Sequence, residues 1–269
     1  MTIKLMATDM DGTFLDKKSQ YDAERLRKLL TQAKEKGIYF VVASGRAVQS
    51  LKEVFADFQD QVIFLGENGT VVEYKGKTLY EEIMPRKLYL DIVDKIRTSH
   101  FKNRDMVHLS GKNGAYTLSS IDDEYRTFLE HYYPNLQLVD DFATVQDEIF
   151  KIGANFAADE VFQASQWLTR EIEGVVSLTS GYECLDVMLD HVDKGNGLRH
   201  LCEILGILPS EVVAFGDNYN DEQMLRFAGS AIVPENAVPE IKEIADLVIA
   251  DHDTGSVIAY MEELVCQSN

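Results

Sequence analysis

The sequence predicts an α/β protein, a doubly wound and mostly parallel sheet with a second, α+β module inserted into it. Three observations predict it. Unbroken apolar runs such as Ile38–Ala43 (IYFVVA) and Val212–Phe215 read as strands covered on both faces. Stretches with apolar residues at i, i+3, i+4 and i+7 separate those runs, so strand and helix alternate. The alternation stops near Met84 and resumes at Lys194, and the texture between is different.

In chain order, Ile3–Ala7 is a short buried strand that ends in Asp9-Met10-Asp11-Gly12-Thr13. A polar loop leads to Asp22, which can cap a helix whose buried stripe is Leu26, Leu29, Leu30 and Ala33, stopped by Gly37. Ile38–Ala43 follows as a central strand and ends in Ser44-Gly45-Arg46. A helix over Ala47–Phe58 and a strand over Gln61–Leu65 come next, closing in Gly66-Glu67-Asn68-Gly69. In the inserted block, Leu88–Thr98, Asp122–His131 and Val161–Ile172 read as helices, and Phe150–Phe156 as a strand. Met106–Ser110 and Ala115–Ser119 alternate around Gly111-Lys112-Asn113-Gly114, a hairpin turn. Val175–Thr179 and Cys184–Leu189 flank Gly181-Tyr182 as two more strands. The α/β rhythm returns with a helix opened by Lys194-Gly195-Asn196-Gly197 and striped by Leu198, Leu201, Cys202 and Leu205. Strands at Val212–Phe215, Ala231–Val233 and Leu247–Ala250 follow, with helices after Asp221, near Pro239–Ala245 and over Gly255–Leu264. The expected division is residues 1–83 and 191–269 for a Rossmann-like core and residues 84–190 for the insertion.

Bulk properties narrow the function. The formal charge of −19 repels phosphate backbones and anionic lipid, so neither nucleic acid nor membrane is an expected partner. Hydrophobic residues at 45% allow a sizeable core, and no apolar run reaches the ~18 residues of a membrane span. Cys184, Cys202 and Cys266 are widely spaced, which reads as buried thiols in a reducing cytoplasm. The histidines lack metal-binding spacing, and fingerprints for nucleotide binding or for a serine esterase are missing.

In open α/β sheets, ligands bind beyond the carboxyl ends of the strands. Three of those ends carry unusual polar groups. Asp9 and Asp11, at i and i+2, can face one small volume; like charges that close call for a divalent cation, or for an acid and a nucleophile in different protonation states. Gly12 permits a sharp turn with amides free for an anion. Ser44, Gly45 and Arg46 place a hydroxyl and backbone N–H groups at a helix start. Asp217 is followed by Asn220 and Asp221 on one face of the next helix. Lys194, also at a helix start, adds a cation. Singly, each has a plainer reading as a strand-to-helix turn, an acidic loop or a surface lysine. Together they form a phosphoryl-transfer constellation.

Asp9–Leu15 (DMDGTFL), Ser44-Gly45-Arg46, Lys194 and Gly216–Leu225 (GDNYNDEQML) resemble the four motifs of the haloacid dehalogenase-like hydrolases, and more narrowly the Cof-type branch with its YbiV-like sugar phosphatases; Glu67-Asn68-Gly69 is similar to that branch as well. The resemblance implies a Mg²⁺-dependent phosphatase of small phosphate monoesters, above all sugar phosphates, working through an aspartyl-phosphate. It implies Asp9 as nucleophile, Asp11 as acid and base, and Lys194 as the catalytic cation. Gly12, Ser44, Gly45, Arg46, Lys194 and Asn220 would bind substrate and phosphate. Asp9, Asp11 (through its carbonyl) and Asp217 would hold the metal, with Asp221 and Asn220 supporting that shell. The insertion falls at the family's second cap position and would roof the site and select the leaving group. The hairpin tip at Lys112 and Asn113 and the loop at Tyr182 are candidate substrate contacts, each also readable as a solvated turn. One departure is Pro234-Glu235-Asn236-Ala237, where the family has Met-Gly-Asn-Ala. A phosphomutase or phosphotransferase of the same fold is the second reading, a non-catalytic ligand-binding module the third. A monomer or weak homodimer is expected.

Overall fold

The computed structural model describes residues 2–103, 106–181 and 183–268. The elements run β1 Leu5–Thr8, α1 Ala23–Glu35, β2 Tyr39–Ala43, α2 Val48–Val54, β3 Val62–Gly66, β4 Val71–Tyr74 and β5 Lys77–Glu81. They continue with α3 Arg86–Arg97, β6 Val107–Gly111, β7 Gly114–Leu118, α4 Asp123–Tyr132, β8 Leu136–Val139, β9 Ile149–Asn155, α5 Val161–Glu171, β10 Val175–Gly181 and β11 Cys184–Leu189. Last come α6 Lys194–Leu205, β12 Val212–Phe215, α7 Glu222–Phe227, β13 Ser230–Pro234, α8 Pro239–Glu243, β14 Leu247–Ile249 and α9 Ser256–Gln267. They fall into two compact units, Met1–Glu81 with Asp193–Asn269, and Glu82–Val192.

The first unit is built on an eight-stranded sheet in the order β14-β13-β12-β1-β2-β3-β4-β5. Neighbours from β14 through β3 pair parallel, and β4 and β5 add antiparallel. Every residue of β1 is buried, as a strand covered on both faces requires. The chain leaves β1 toward β2 on one side and returns to β12 on the other. That reversal opens a crevice at the carboxyl end of β1, the place where such sheets hold ligands.

Two differences from the sequence reading have clear causes. The helix expected over Ala47–Phe58 stops at Val54, because Phe55 turns out of it to stack on Tyr21 (ring centroids 5.0 Å apart) beside Phe14 and Phe64. Burial of that aromatic group overrides helix propensity. Strands β4 and β5 were not expected. They form a hairpin on Lys75-Gly76, both at positive φ (51° and 70°), a turn whose lysine hides the usual Asn-Gly signature.

In the second unit a six-stranded sheet runs β10-β11-β9-β6-β7-β8, antiparallel except for β7 and β8. Edge strand β8 also went unread, since its short Leu-Gln-Leu-Val run is only half-buried. One sheet face (Val107, Leu109, Ile152, Leu185, Val187) packs on Ile92 and Ile96 of α3 and on Ala164 and Leu168 of α5. Period-2 alternation sends His108, Ser110, Lys151 and Asp186 to the opposite face, where they are nonetheless buried. Lys151 meets Asp186 at 3.0 Å. His108 sits between the hydroxyls of Tyr125 (2.9 Å) and Tyr133 (3.1 Å), over Gly153, where a Cβ would lie 2.0 Å from the ring. Burial, and then Lys151, hold the imidazole down to about 3.

At the hairpin tip, Lys112 pairs with Glu148 at 3.0 Å, and the Asn113 amides donate to Asp147 at 2.8 and 2.7 Å. Tyr182 lies outside the described residues. Of the three thiols only Cys202 is buried; Cys184 is half-buried, and Cys266, at the end of α9, is exposed. No helix among the described residues is long and apolar enough to cross a membrane.

Candidate active site

The parallel register sets the site. Thr8 pairs with Val42 on one side and Phe215 on the other, so Asp9 emerges between the ends of β2 and β12. Its N–H donates to the Phe215 carbonyl at 2.9 Å, which fixes where the side chain starts. The following turn needs glycine: Gly12 has φ +84°, and a Cβ there would lie 2.5 Å from Asp217 Oδ2. Thr13, from the same turn, donates its hydroxyl to Asp217 Oδ1 at 2.6 Å.

Lys194 opens α6, capped by Asp193, which accepts from the Asn196 N–H at 2.7 Å. Gly69 (φ +103°) lets the Glu67–Gly69 turn touch the backbone just before it; a Cβ at Gly69 would lie 2.1 Å from the Asp193 carbonyl oxygen. This close seat drives the lysine fully inside. Its Nζ donates to Asp9 Oδ1 at 2.5 Å and to Asp221 Oδ1 at 2.6 Å. The remaining oxygen of Asp221 accepts from the N–H groups of Asp217 (2.9 Å) and Asn218 (3.1 Å), which folds the acidic loop back on itself.

Asp9, Asp217 and Asp221 therefore bring carboxylate oxygens within 4.8 Å of one another, from segments about two hundred residues apart in sequence. Among the described residues this is the one place where three such groups could share an ion. Burial pushes the Asp9 carboxyl well up, opposed by Lys194 and reinforced by Asp221 and Asp217. Burial likewise lifts Asp217 to about 6, against the Thr13 hydrogen bond. Lys194 stays protonated: burial lowers its pKa, but Asp221 and Asp9 more than reverse that. Three acids facing one ammonium leave surplus negative charge in a confined volume, and an all-oxygen donor set suits a hard divalent cation. Both oxygens of Asp221 are engaged, whereas Asp9 Oδ2 and Asp217 Oδ2 accept no hydrogen bond among the described residues.

Around this centre, Ser44 is buried with its Oγ accepting from the Arg46 N–H at 3.2 Å. Gly45 lies under Asn68, whose Oδ1 would be 3.0 Å from a Cβ there. Asn220 donates to that same Asn68 oxygen at 3.2 Å. The Asp11 carboxylate stands apart from the acid cluster; Arg46 takes it through Nε (2.8 Å) and Nη2 (2.5 Å). Thus the structure puts the Arg46 guanidinium on Asp11. Four residues act as supports to which the sequence reading assigns no such role. Thr13 holds Asp217, and Asn68 links Gly45 to Asn220. Asn236 donates to the Gly12 carbonyl at 2.7 Å and accepts from the His252 N–H at 3.1 Å, while the His252 ring meets the Leu15 carbonyl at 2.6 Å. Thr13 and Asn68 stand inside motifs quoted from the sequence, whereas no spacing marks Asn236 or His252 as supports. Glu235 is exposed beside Asn236.

The fold and this arrangement define a hydrolase class: a profile of the haloacid dehalogenase-like hydrolases matches residues 6–261, and the chain belongs to that family. It is a phosphoric monoester hydrolase. Among its relatives, the 5-amino-6-(5-phospho-D-ribitylamino)uracil phosphatase YbjI of Escherichia coli is 39% identical over 240 residues, covering 88% of this chain and 87% of that one. The phosphatase of the same description from Bacillus subtilis, YwtE, is 26% identical, with 98% of each chain covered. In structure, SMU.1108c of Streptococcus mutans superposes with a TM-score of 0.90 at 28% identity, covering 99% of this chain and all of that one.

Proposed function

We propose that the protein is a Mg²⁺-dependent phosphatase of small phosphate monoesters that passes the phosphoryl group through Asp9. The observation that carries this reading is the single buried Lys194 shared by Asp9 and Asp221, with Asp217 alongside. Asp9 Oδ attacks phosphorus as the ester P–O bond breaks, and Asp11 gives its proton to the departing alkoxide. Water then attacks the aspartyl-phosphate, Asp11 takes up a water proton, and the bond from phosphorus to Asp9 breaks to release inorganic phosphate. Ser44, the Gly45 amide and Lys194 bind the transferring oxygens, with Gly12 and Asn220 at the edges of that cradle. Asp9, Asp217 and the Asp11 carbonyl would hold Mg²⁺, kept in place through Asp221 and Asn220. When bound, the ion neutralises charge on the acids and on the phosphoryl oxygens.

Polyol phosphates joined to a pyrimidine lead the substrate list, because two relatives are phosphatases of 5-amino-6-(5-phospho-D-ribitylamino)uracil. Sugar phosphates are the next class. Selection among them falls to residues 82–192, acting as the cap. A cytoplasmic enzyme acting on small molecules, with neither nucleic acid nor membrane as partner, is part of the same reading, supported by the free thiols and the charge of −19. Phosphate release from a panel of these esters, with and without Mg²⁺, tests the reading. Turnover of the ribitylamino ester above that of simple sugar phosphates is expected, and no release from any ester would refute it.

A further inference from the structure

The geometry points to Arg46 as the positioning residue for Asp11, one that aims the proton-transferring carboxyl and does not itself bind the phosphoryl group. This inference rests on the phosphatase reading, with Asp11 as acid and base.

Both carboxylate oxygens of Asp11 are taken by one guanidinium, Oδ2 by Nε at 2.8 Å and Oδ1 by Nη2 at 2.5 Å, which is the ionised form. When Asp11 carries the proton for the leaving alkoxide, one oxygen leaves the fork and the other keeps its bond to Arg46. A planar fork of this kind fixes both the distance and the plane of a carboxylate, which a point charge does not. Asp11 needs such a guide. It lies in an irregular turn (φ −80°, ψ 115°) beside Gly12, its side chain is 51% exposed, and among the described residues only Arg46 hydrogen-bonds its carboxylate.

Arg46 is anchored on its own side. Its N–H donates to Ser44 Oγ at 3.2 Å, and its carbonyl accepts the Glu67 N–H at 3.0 Å. The side chain is only 19% exposed. An arm seated through its backbone and largely buried therefore holds an exposed acid. Stability is a poor reason for the contact, since an ion pair open to water adds little. Positive charge next to Asp9 is already supplied from inside by Lys194, whose Nζ lies 2.5 Å from it. Proton transfer, by contrast, depends steeply on orientation.

The two roles separate with the leaving group. Departure of p-nitrophenolate needs no proton, whereas an alkoxide does. In kcat/KM, which reports events up to the first phosphoryl transfer, a residue that aims the acid matters only for the alkyl ester. A residue that holds phosphate matters for both.

The experiment compares wild type, Arg46→Ala, Arg46→Lys and Asp11→Asn on p-nitrophenyl phosphate and ribitol 5-phosphate with Mg²⁺. Arg46→Ala is expected to lose about 100-fold in kcat/KM on the alkyl ester and less than about fivefold on the aryl ester. Asp11→Asn should share that selectivity, and Arg46→Lys should recover part of the alkyl activity. Equal losses by Arg46→Ala on both esters, or none on either, would overturn the inference. Equal losses by Asp11→Asn would overturn the role of Asp11 and the inference with it. Wild type inactive on both esters would bring down the phosphatase reading itself. Circular dichroism and the thermal unfolding midpoint show that each variant folds.

Discussion

Lys194 and Lys151 are both buried in this chain, and they keep different company. Lys151 meets Asp186 across adjacent strands of one sheet, β9 and β11, in a pairing set by strand register. Lys194 is shared by Asp9 and Asp221, with Asp217 within ion-sharing reach, and these groups come from separate segments of the chain. Burial of a lysine is common to the two places. What sets the core site apart is a surplus of carboxylate assembled at a switch point, with Asp9 and Asp217 raised in pKa by burial. That surplus, more than the buried cation, marks where chemistry happens.

The comparison breaks most sharply at Asp9. Asp9→Asn should lower phosphate release by about 10⁴-fold or more with thermal unfolding little changed; an active variant would remove the nucleophile from the mechanism. Chelation should follow, with EDTA abolishing turnover and Mg²⁺ restoring it. Mg²⁺ at about 100 times its Kd should also stabilise the wild type by about 2.7 kcal/mol in urea titrations, and Asp217→Asn should lose that gain.

The lysines themselves sharpen the contrast. Lys194→Met and Lys151→Met each remove a buried cation from beside a carboxylate and should each cost about 3–5 kcal/mol in unfolding experiments. Only Lys194→Met should also cost turnover of p-nitrophenyl phosphate, by about 10³-fold. Similar turnover losses in the two variants would dissolve the distinction.

The pH responses of the two regions should run in opposite directions. Asp217, lifted from 3.8 to about 6, binds its proton more tightly folded than unfolded. Metal-free protein should therefore gain stability as pH falls through 6 toward 4, on the order of 2 kcal/mol. His108, lowered from 6.5 to about 3, binds its proton more tightly unfolded, so the second unit should lose stability as pH falls below 6.5. That loss should reach on the order of 2 kcal/mol by about pH 5. Unfolding across this window, in Asp217→Asn and in His108→Gln, should remove the two slopes separately. The smallest effect is expected for Asn236→Ala, about 1 kcal/mol for the loss of its hydrogen bonds to the Gly12 carbonyl and from the His252 N–H, read from the unfolding midpoint.

The sequence made the core sheet legible because its strands are continuous apolar runs that end in chemically conspicuous residues, Asp9, Ser44 and Asp217. The β4–β5 hairpin was hidden by a lysine in a left-handed turn position, and β8 by half-burial at an edge. In the site, the motif residues were readable one by one, but their pairings were not. No spacing rule reports that Arg46 faces Asp11, or that Asn236 and His252 brace Gly12 and Leu15, because those contacts depend on side-chain reach across a completed fold. The buried polar face of the second unit was equally opaque. His108, Lys151 and Asp186 occupy the alternating positions normally left to solvent.

Because Leu5 of β1 pairs with Val212 of β12, β1 cannot complete its hydrogen bonding until the chain has been made through β12. The nascent chain must carry Asp9 idle past the whole intervening unit, and closing so long a span is slow. Truncation anywhere before β12 would therefore yield a product with an exposed apolar strand and no assembled acid centre. For this enzyme, competence arrives all at once, when β12 and the loop after it have been made.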